Sequence, residues 1–184
     1  RVHLVTASRE GMVRDVRRGG VDAALLLGEP FSAPGIVVES LGRERLVVCT
    51  GPGGPLADRA AVGPDDLADV PLVLTRRVWS ARPLVERTLG GEGGVAGYVE
   101  CDGSRIARRL AEAGLGVTVA PEFSVAGALR RGRLRALTWR GEPLFATVLV
   151  ARGRTRTPDG AVAALLDAVR AFFHDRGKQK GTVL

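Results

Sequence analysis

Ser8-Arg-Glu-Gly-Met-Val-Arg-Asp-Val-Arg-Arg-Gly-Gly-Val-Asp-Ala-Ala-Leu-Leu-Leu-Gly28 is the stretch on which the fold turns. Ser8 is a good helix N-cap, and Met12, Val13 and Val16 fall on one helical face before Gly19-Gly20 stops the helix. Val21 to Leu27 is then apolar without interruption, which suits a strand buried on both faces. Immediately upstream, Val2 to Val5 reads as the strand that feeds the helix. Strand, helix and strand in that order predict a βαβ unit.

The same alternation continues outward. Gly28-Glu29-Pro30 breaks the strand, and Gly35–Leu41 and Arg45–Thr50 read as two more. Gly51-Pro52-Gly53-Gly54-Pro55 is the strongest punctuation in the chain and a candidate lobe boundary. Beyond it come a helical turn at Pro64–Asp69, a strand at Pro71–Leu74 and a helix at Ser80–Leu89 with Pro83 in its first turn. Tyr98–Cys101 is a short strand, after which Asp102-Gly103-Ser104 offers two N-caps to a helix burying Ile106, Leu110 and Ala111 and ending at Gly114. A strand at Gly116–Ala120 leads into a helix reaching about Arg131, and Leu134–Trp139 with Leu144–Ala151 form a hairpin-like pair. The final helix is capped by Thr157, has Pro158 first, carries the stripe Val162, Leu165, Leu166, Val169, Phe172 and Phe173, and stops at Gly177. Repeated βα units predict an α/β fold with mainly parallel sheets, here in two lobes with a cleft between them.

Composition narrows the class. The 184 residues are 45% hydrophobic and 26% charged, ordinary for a globular protein, and no apolar run reaches the ~20 residues a bilayer span needs. Cys49 and Cys101 are far apart and match neither a disulfide framework nor a metal spacing, which fits a reducing cytoplasm. The formal charge of +7 rests almost wholly on arginine, since Lys178 and Lys180 are the only lysines. Much of the excess sits between Arg130 and Arg156, where Glu142 is the only acid; these arginines do not repeat at helical spacing and have few interleaved aromatics, so a solvated surface explains them better than a nucleic-acid footprint.

Catalytic signals are missing. His3 and His174 have no second ligand at metal spacing, and neither a GxSxG elbow nor a GxxxxGK[ST] loop occurs. Gly91-Glu92-Gly93-Gly94-Val95-Ala96 matches GxGxxA but follows a helix, where a dinucleotide fingerprint must follow a strand. The acid pairs Asp65-Asp66 and Glu100/Asp102 are commonplace at helix starts. No catalytic residue, cofactor or metal is therefore assigned. Binding has better support: Thr6-Ala7-Ser8, Thr75–Ser80 and Asp102-Gly103-Ser104 put small polar residues at strand-to-helix junctions, where free amides and the helix dipole favour a carboxylate or phosphate. Arg76 and Arg77 add charge there, and Trp79 is placed to stack on a planar ligand. Plain capping is the competing account of each junction.

The order of short motifs resembles the effector-binding domain of LysR-type transcriptional regulators. Gly20-Val21-Asp22-Ala23-Ala24-Leu25 resembles its G-x-L-D-x-A-L element, Leu41–Thr50 its l…e.lvlv strand, and Pro55-Leu56-Ala57 its hPLA. Asp66–Val73 resembles dL.d.plI, Ala113–Pro121 resembles aGlGia.lP, and Arg131–Leu134 ends on the family's G.L. The resemblance implies a fold like that of periplasmic binding proteins, with lobe I at 1–50 and 134–184 and lobe II at 51–133. It implies a small, anionic effector in the cleft, contacted by Ser8, Glu29, Thr75, Arg76, Arg77, Trp79, Ser80, Asp102 and Ser104. It places the winged helix-turn-helix, the linker helix and the domain's first strand and helix outside this chain. DNA is then a partner only through that N-terminal domain, with RNA polymerase open to the full-length protein. A cytoplasmic homodimer or homotetramer without membrane contact is expected. An extracytoplasmic solute-binding protein, or an enzyme such as a dehydratase on the same bilobed fold, are the alternatives.

Overall fold

Ser8 starts the first helix, α1 (Arg9–Arg18), and Gly19 ends it in the left-handed conformation with φ of 73°. The computed structural model describes residues 2–76, 82–88, 97–155 and 159–180, with side chains as far as Phe173. Its contacts divide the chain into two compact units, residues 1–43 with 147–184, and residues 44–146.

The first unit is built on β1 (Ala23–Gly28), the opening part of β2 (Ile36–Thr50) and most of β7 (Phe145–Gly153). β1 runs antiparallel to β7, from Ala23 opposite Arg152 to Gly28 opposite Thr147. α1 lays Val16 against Ala24, Leu26, Ile36, Leu149 and Ala151, with Met12, Val13 and Phe31 at the margin of the cluster. Each fully buried Val, Leu or Ile side chain here is worth about 1.5–3 kcal/mol. The long helix α6 (Gly160–Lys180) buries Leu166 and half-buries Val162, Leu165, Val169 and Phe173. Arg170 on α6 grips the Glu39 carboxylate with Nε at 2.9 Å and Nη2 at 2.7 Å, and that bidentate bond holds the Glu39 carboxyl below its usual value.

Several expectations fail here for physical reasons. Val2–Val5 is not a strand: no ladder among the described residues includes it, and apolar character cannot substitute for a backbone partner. β1 is not buried on both faces, because Ala24 and Leu26 face the core while Leu25 on the opposite face is 46% exposed. The expected cap residues Thr157 and Pro158 lie outside the described residues; Asp159 caps α6, its Oδ1 accepting the Val162 amide at 2.9 Å. Gly177 does not end that helix, which runs on to Lys180; one glycine costs only about 1 kcal/mol in a helix.

The second unit holds α2 (Pro64–Ala68), β3 (Leu72–Thr75), α3 (Arg82–Thr88), β4 (Tyr98–Cys101), α4 (Ser104–Glu112), β5 (Thr118–Pro121), α5 (Glu122–Arg130) and β6 (Arg135–Ala136). β3 and β4 are parallel, from Leu72 opposite Tyr98 to Thr75 opposite Cys101. On its other side β3 meets Val117, with the Val73 amide donating to the Val117 carbonyl at 2.8 Å. β5 and β6 each pair antiparallel with β2. Val47, Cys49, Ala111, Ala120, Val125, Ala128 and Leu134 form the main core, and burial pushes the Cys49 thiol up to about 12.

The α/β class is as expected, but the sheets are mixed rather than mainly parallel. Gly35–Leu41 and Arg45–Thr50 are one strand, β2, because nothing between them turns the chain and Gly42 stays extended. The hairpin is absent: β6 pairs with β2 and β7 with β1. On α4 the buried positions are Ala107 and Ala111 with Leu110 half-buried, while Ile106 is exposed. Glu44, 1% exposed, accepts the Phe123 amide at 3.1 Å, so a carboxylate on β2 satisfies a donor at the start of α5 where Pro121 supplies no side-chain cap.

Candidate functional site

In the second unit, the β3–β4 register sets Thr75 beside Cys101 and brings the two carboxyl ends together. The Arg76 amide donates to the Cys101 carbonyl at 3.2 Å, extending the pairing by one residue. Immediately beyond, the Arg76 guanidinium meets the Asp102 carboxylate at 3.2 Å, both exposed to solvent. Such a pair is worth at most about 1 kcal/mol in water, so an incoming anion can displace Asp102 from Arg76 at little cost.

α4 begins at this edge. Its N-cap is Gly103 (φ 88°, ψ 157°), which provides no side-chain cap, and Ser104 is the first helical residue, exposed. The expectation that Asp102 or Ser104 caps the helix is therefore wrong: Asp102 is turned to Arg76, and Gly103 occupies the cap in a conformation open almost only to glycine. The cap residue thus gives the first amides of α4 no side-chain acceptor, beside a cation and an exposed hydroxyl. This is suitable chemistry for a carboxylate or phosphate oxygen.

A residue that the sequence reading passed over supports this edge. Arg82, 3% exposed, donates from Nη1 to the Thr75 carbonyl at 2.6 Å and from Nε to Glu86 at 2.9 Å. It lies 3.8 Å from Glu100 and 4.8 Å from the Tyr98 ring centroid. One buried guanidinium thereby ties the ends of β3, α3 and β4 together. The only signal in the sequence was the Arg82/Glu86 spacing of four, which elsewhere marks a solvated helical pair. The Cys101 thiol lies under the same edge, donating toward the Leu74 carbonyl at 3.5 Å, and burial followed by the charges of Asp102 and Glu100 pushes its pKa up.

In the first unit, Ser8 caps α1, its Oγ accepting the Gly11 amide at 3.1 Å. The Glu29 carbonyl accepts from Arg9 Nη2 at 2.9 Å. Arg77, Trp79 and Ser80 lie outside the described residues, as does the glycine-rich segment at 91–96. Asp66 of the Asp65-Asp66 pair caps α2 by accepting the Gly63 amide at 2.7 Å and pairs with Arg140. Among the described residues no group of three or more His, Cys, Asp or Glu is placed to hold a metal, and no helix is long and apolar enough to cross a membrane.

An α/β domain whose parallel strand ends abut an uncapped helix start is of the class that receives ligands at those ends. The chain belongs to the LysR substrate binding domain family, whose model matches residues 1–174. It is 30% identical over 146 residues, 78% of this chain and 47% of the relative, to the HTH-type transcriptional regulator CbbR of Cereibacter sphaeroides. The chain spans about half the length of the curated relatives it matches. Its fold is similar to the effector binding domain of QuiR in complex with shikimate (TM-score 0.73, 17% identity, 92% of this chain and 79% of that one). It is similar also to the CcmR regulatory domain of Synechocystis PCC6803 in complex with 2-PG (TM-score 0.73, 18% identity, 90% and 80% covered). These likenesses establish the fold seen in LysR effector-binding domains, which is periplasmic-binding-protein-like.

Proposed function

We propose that this chain is the ligand-sensing part of a LysR-type transcription regulator and that it binds a small anionic metabolite. The observation that carries this reading is the meeting of Thr75, Arg76, Asp102 and Ser104 at the side-chain-uncapped start of α4. The ligand's acid group displaces Asp102 from Arg76 and takes the first amides of α4, with the Ser104 hydroxyl beside it. The sequence motifs add Arg77, Trp79 and Ser80 as further ligand contacts, with Ser8 and Glu29 those from the first unit. Residues 1–50 with 134–184 and residues 51–133 act as the two lobes. Family membership favours a regulator over a solute-binding protein, and shikimate and 2-PG in similar domains support a small ligand.

The domain senses and does not transform its ligand. Its output is a change in how a winged helix-turn-helix, located N-terminal to these residues in the full-length protein, meets DNA. The full-length protein works in the cytoplasm as a homodimer or homotetramer, with RNA polymerase as a further partner. The ligand acts only through its differential affinity for two states, typically ~1–3 kcal/mol of coupling. The test is calorimetric titration of the chain with a panel of small carboxylates and phosphates, shikimate and 2-PG included. At least one is expected to bind, and Arg76→Ala and Ser104→Ala to weaken it. Equal affinity in both variants overturns the site, and turnover of a bound acid followed by NMR overturns the sensory role.

A further inference from the structure

Along the outer face of α1 in the first unit runs an open groove of about 520 Å³. Its floor is apolar, made by Val13, Phe31 and Ala33, and its rim carries Arg9, Arg14, Arg17 and Arg18 with Glu10 as the one acid. The rim therefore holds four positive charges against one negative.

Three observations set this rim apart from an ordinary solvated helix face. Arg9 occupies the first position of α1, where the helix dipole disfavours a cation, yet it is fixed there. Its guanidinium lies 4.3 Å from the Phe31 ring centroid and donates to the Glu29 carbonyl at 2.9 Å. Next, Arg14 stands three and four residues before Arg17 and Arg18, so like charges face one another, a mildly unfavourable arrangement without a counter-ion. Finally, Arg17 and Arg18 have no ion-pair partner among the described residues, and the pair that Arg14 makes with Asp15 is an exposed 3.7 Å contact.

The geometry points to this groove as a docking site for an acidic segment of a partner protein that carries an apolar side chain between its carboxylates. The cations span the nine residue steps from Arg9 to Arg18, about 14 Å at the helical rise. A small molecule with one acid group cannot reach them all, whereas four or five residues of extended chain cover that length at ~3.3 Å each. The apolar side chain rests on Val13 and Phe31 while carboxylates on either side take Arg9 at one end and Arg14, Arg17 and Arg18 toward the other. Ser8, Glu29, Thr75 and Ser104 do not line this groove, and only the Arg9 bond to the Glu29 carbonyl links it to the residues proposed for metabolite binding.

The test uses the 184-residue chain and a fluorescein-labelled octapeptide of alternating Glu and Asp with one central Leu, read by fluorescence anisotropy at physiological salt. Saturable binding is expected, weakened about tenfold when Leu is replaced by Ser. A similar loss is expected in the double variant Arg14→Glu/Arg17→Glu, whose exposed positions leave the fold intact by circular dichroism. Phe31→Ala weakens binding as well, and Phe31→Leu restores most of it. No binding by the Leu peptide, equal binding by the Ser peptide, or an unchanged affinity in the charge-reversed variant overturns the proposal. Competition by citrate at concentrations well below those of the peptide overturns it too, in favour of a small polyanion.

Discussion

Among the described residues two serines stand at helix starts, and they do different work. Ser8 spends its hydroxyl inside the fold, accepting the Gly11 amide to start α1. Ser104 stands one position later relative to its helix, exposed, while Gly103 fills the cap with its own backbone. The first junction commits its hydroxyl oxygen to its own helix, leaving only the hydroxyl proton to offer a ligand, and the second is left open. A sequence containing a small polar residue at both junctions cannot distinguish the two, because the difference lies in backbone conformation at a single residue.

The contrast can be broken most severely at Arg82. Arg82→Ala leaves Glu86 buried without its guanidinium and releases the Thr75 carbonyl, and a loss of about 3–5 kcal/mol is expected in urea unfolding. An unfolding midpoint close to that of the parent chain removes Arg82 as the support of the open junction. Next, Gly103→Ala forces a Cβ into a backbone region almost reserved for glycine, at about 1–3 kcal/mol. Ligand affinity should fall with it, since the amides of α4 are re-aimed. The sharpest comparison is the serine pair itself. Ser8→Ala should lose about 1 kcal/mol of stability through its cap, whereas Ser104→Ala should stay within ~0.5 kcal/mol. Equal losses in the two variants would falsify the difference between a capped and an open helix start.

The smallest effect is on pH dependence. The Gly63 amide, and then Arg140, hold the Asp66 carboxyl below its usual 3.8. A carboxyl lowered in the folded state stabilises fully above its unfolded value, and this is lost as pH falls through the folded one. Asp66→Asn should therefore shrink the stability difference between neutral pH and pH 3 in denaturant titrations, leaving the Ser8 and Ser104 variants with the parent's profile.

Local signals were legible where one helix or strand carried its own punctuation. α1, with Ser8 at one end and Gly19 at the other, was readable to the residue. The strands β3 and β4 and the helix after Asp102-Gly103-Ser104 were readable as elements, although the capping role expected of Asp102 and Ser104 falls instead to Gly103. Pairing was not legible. Nothing in Leu134–Trp139 states that its partner is β2 rather than the neighbouring strand, nor that Val2–Val5 stays unpaired. Burial of charge was equally hidden: nothing in the sequence marks Arg82 and Glu44 as buried, because the elements that enclose them come from elsewhere in the chain.

Glu44 also bears on the order in which the second unit assembles. Its carboxylate reaches across 79 positions of chain to complete the first turn of α5. That turn has no cap of its own, so α5 must wait for β2 before its start is secured. Closure over so long a loop is slow compared with forming a helix, so the start of α5 gains its carboxylate acceptor only once β2 has docked.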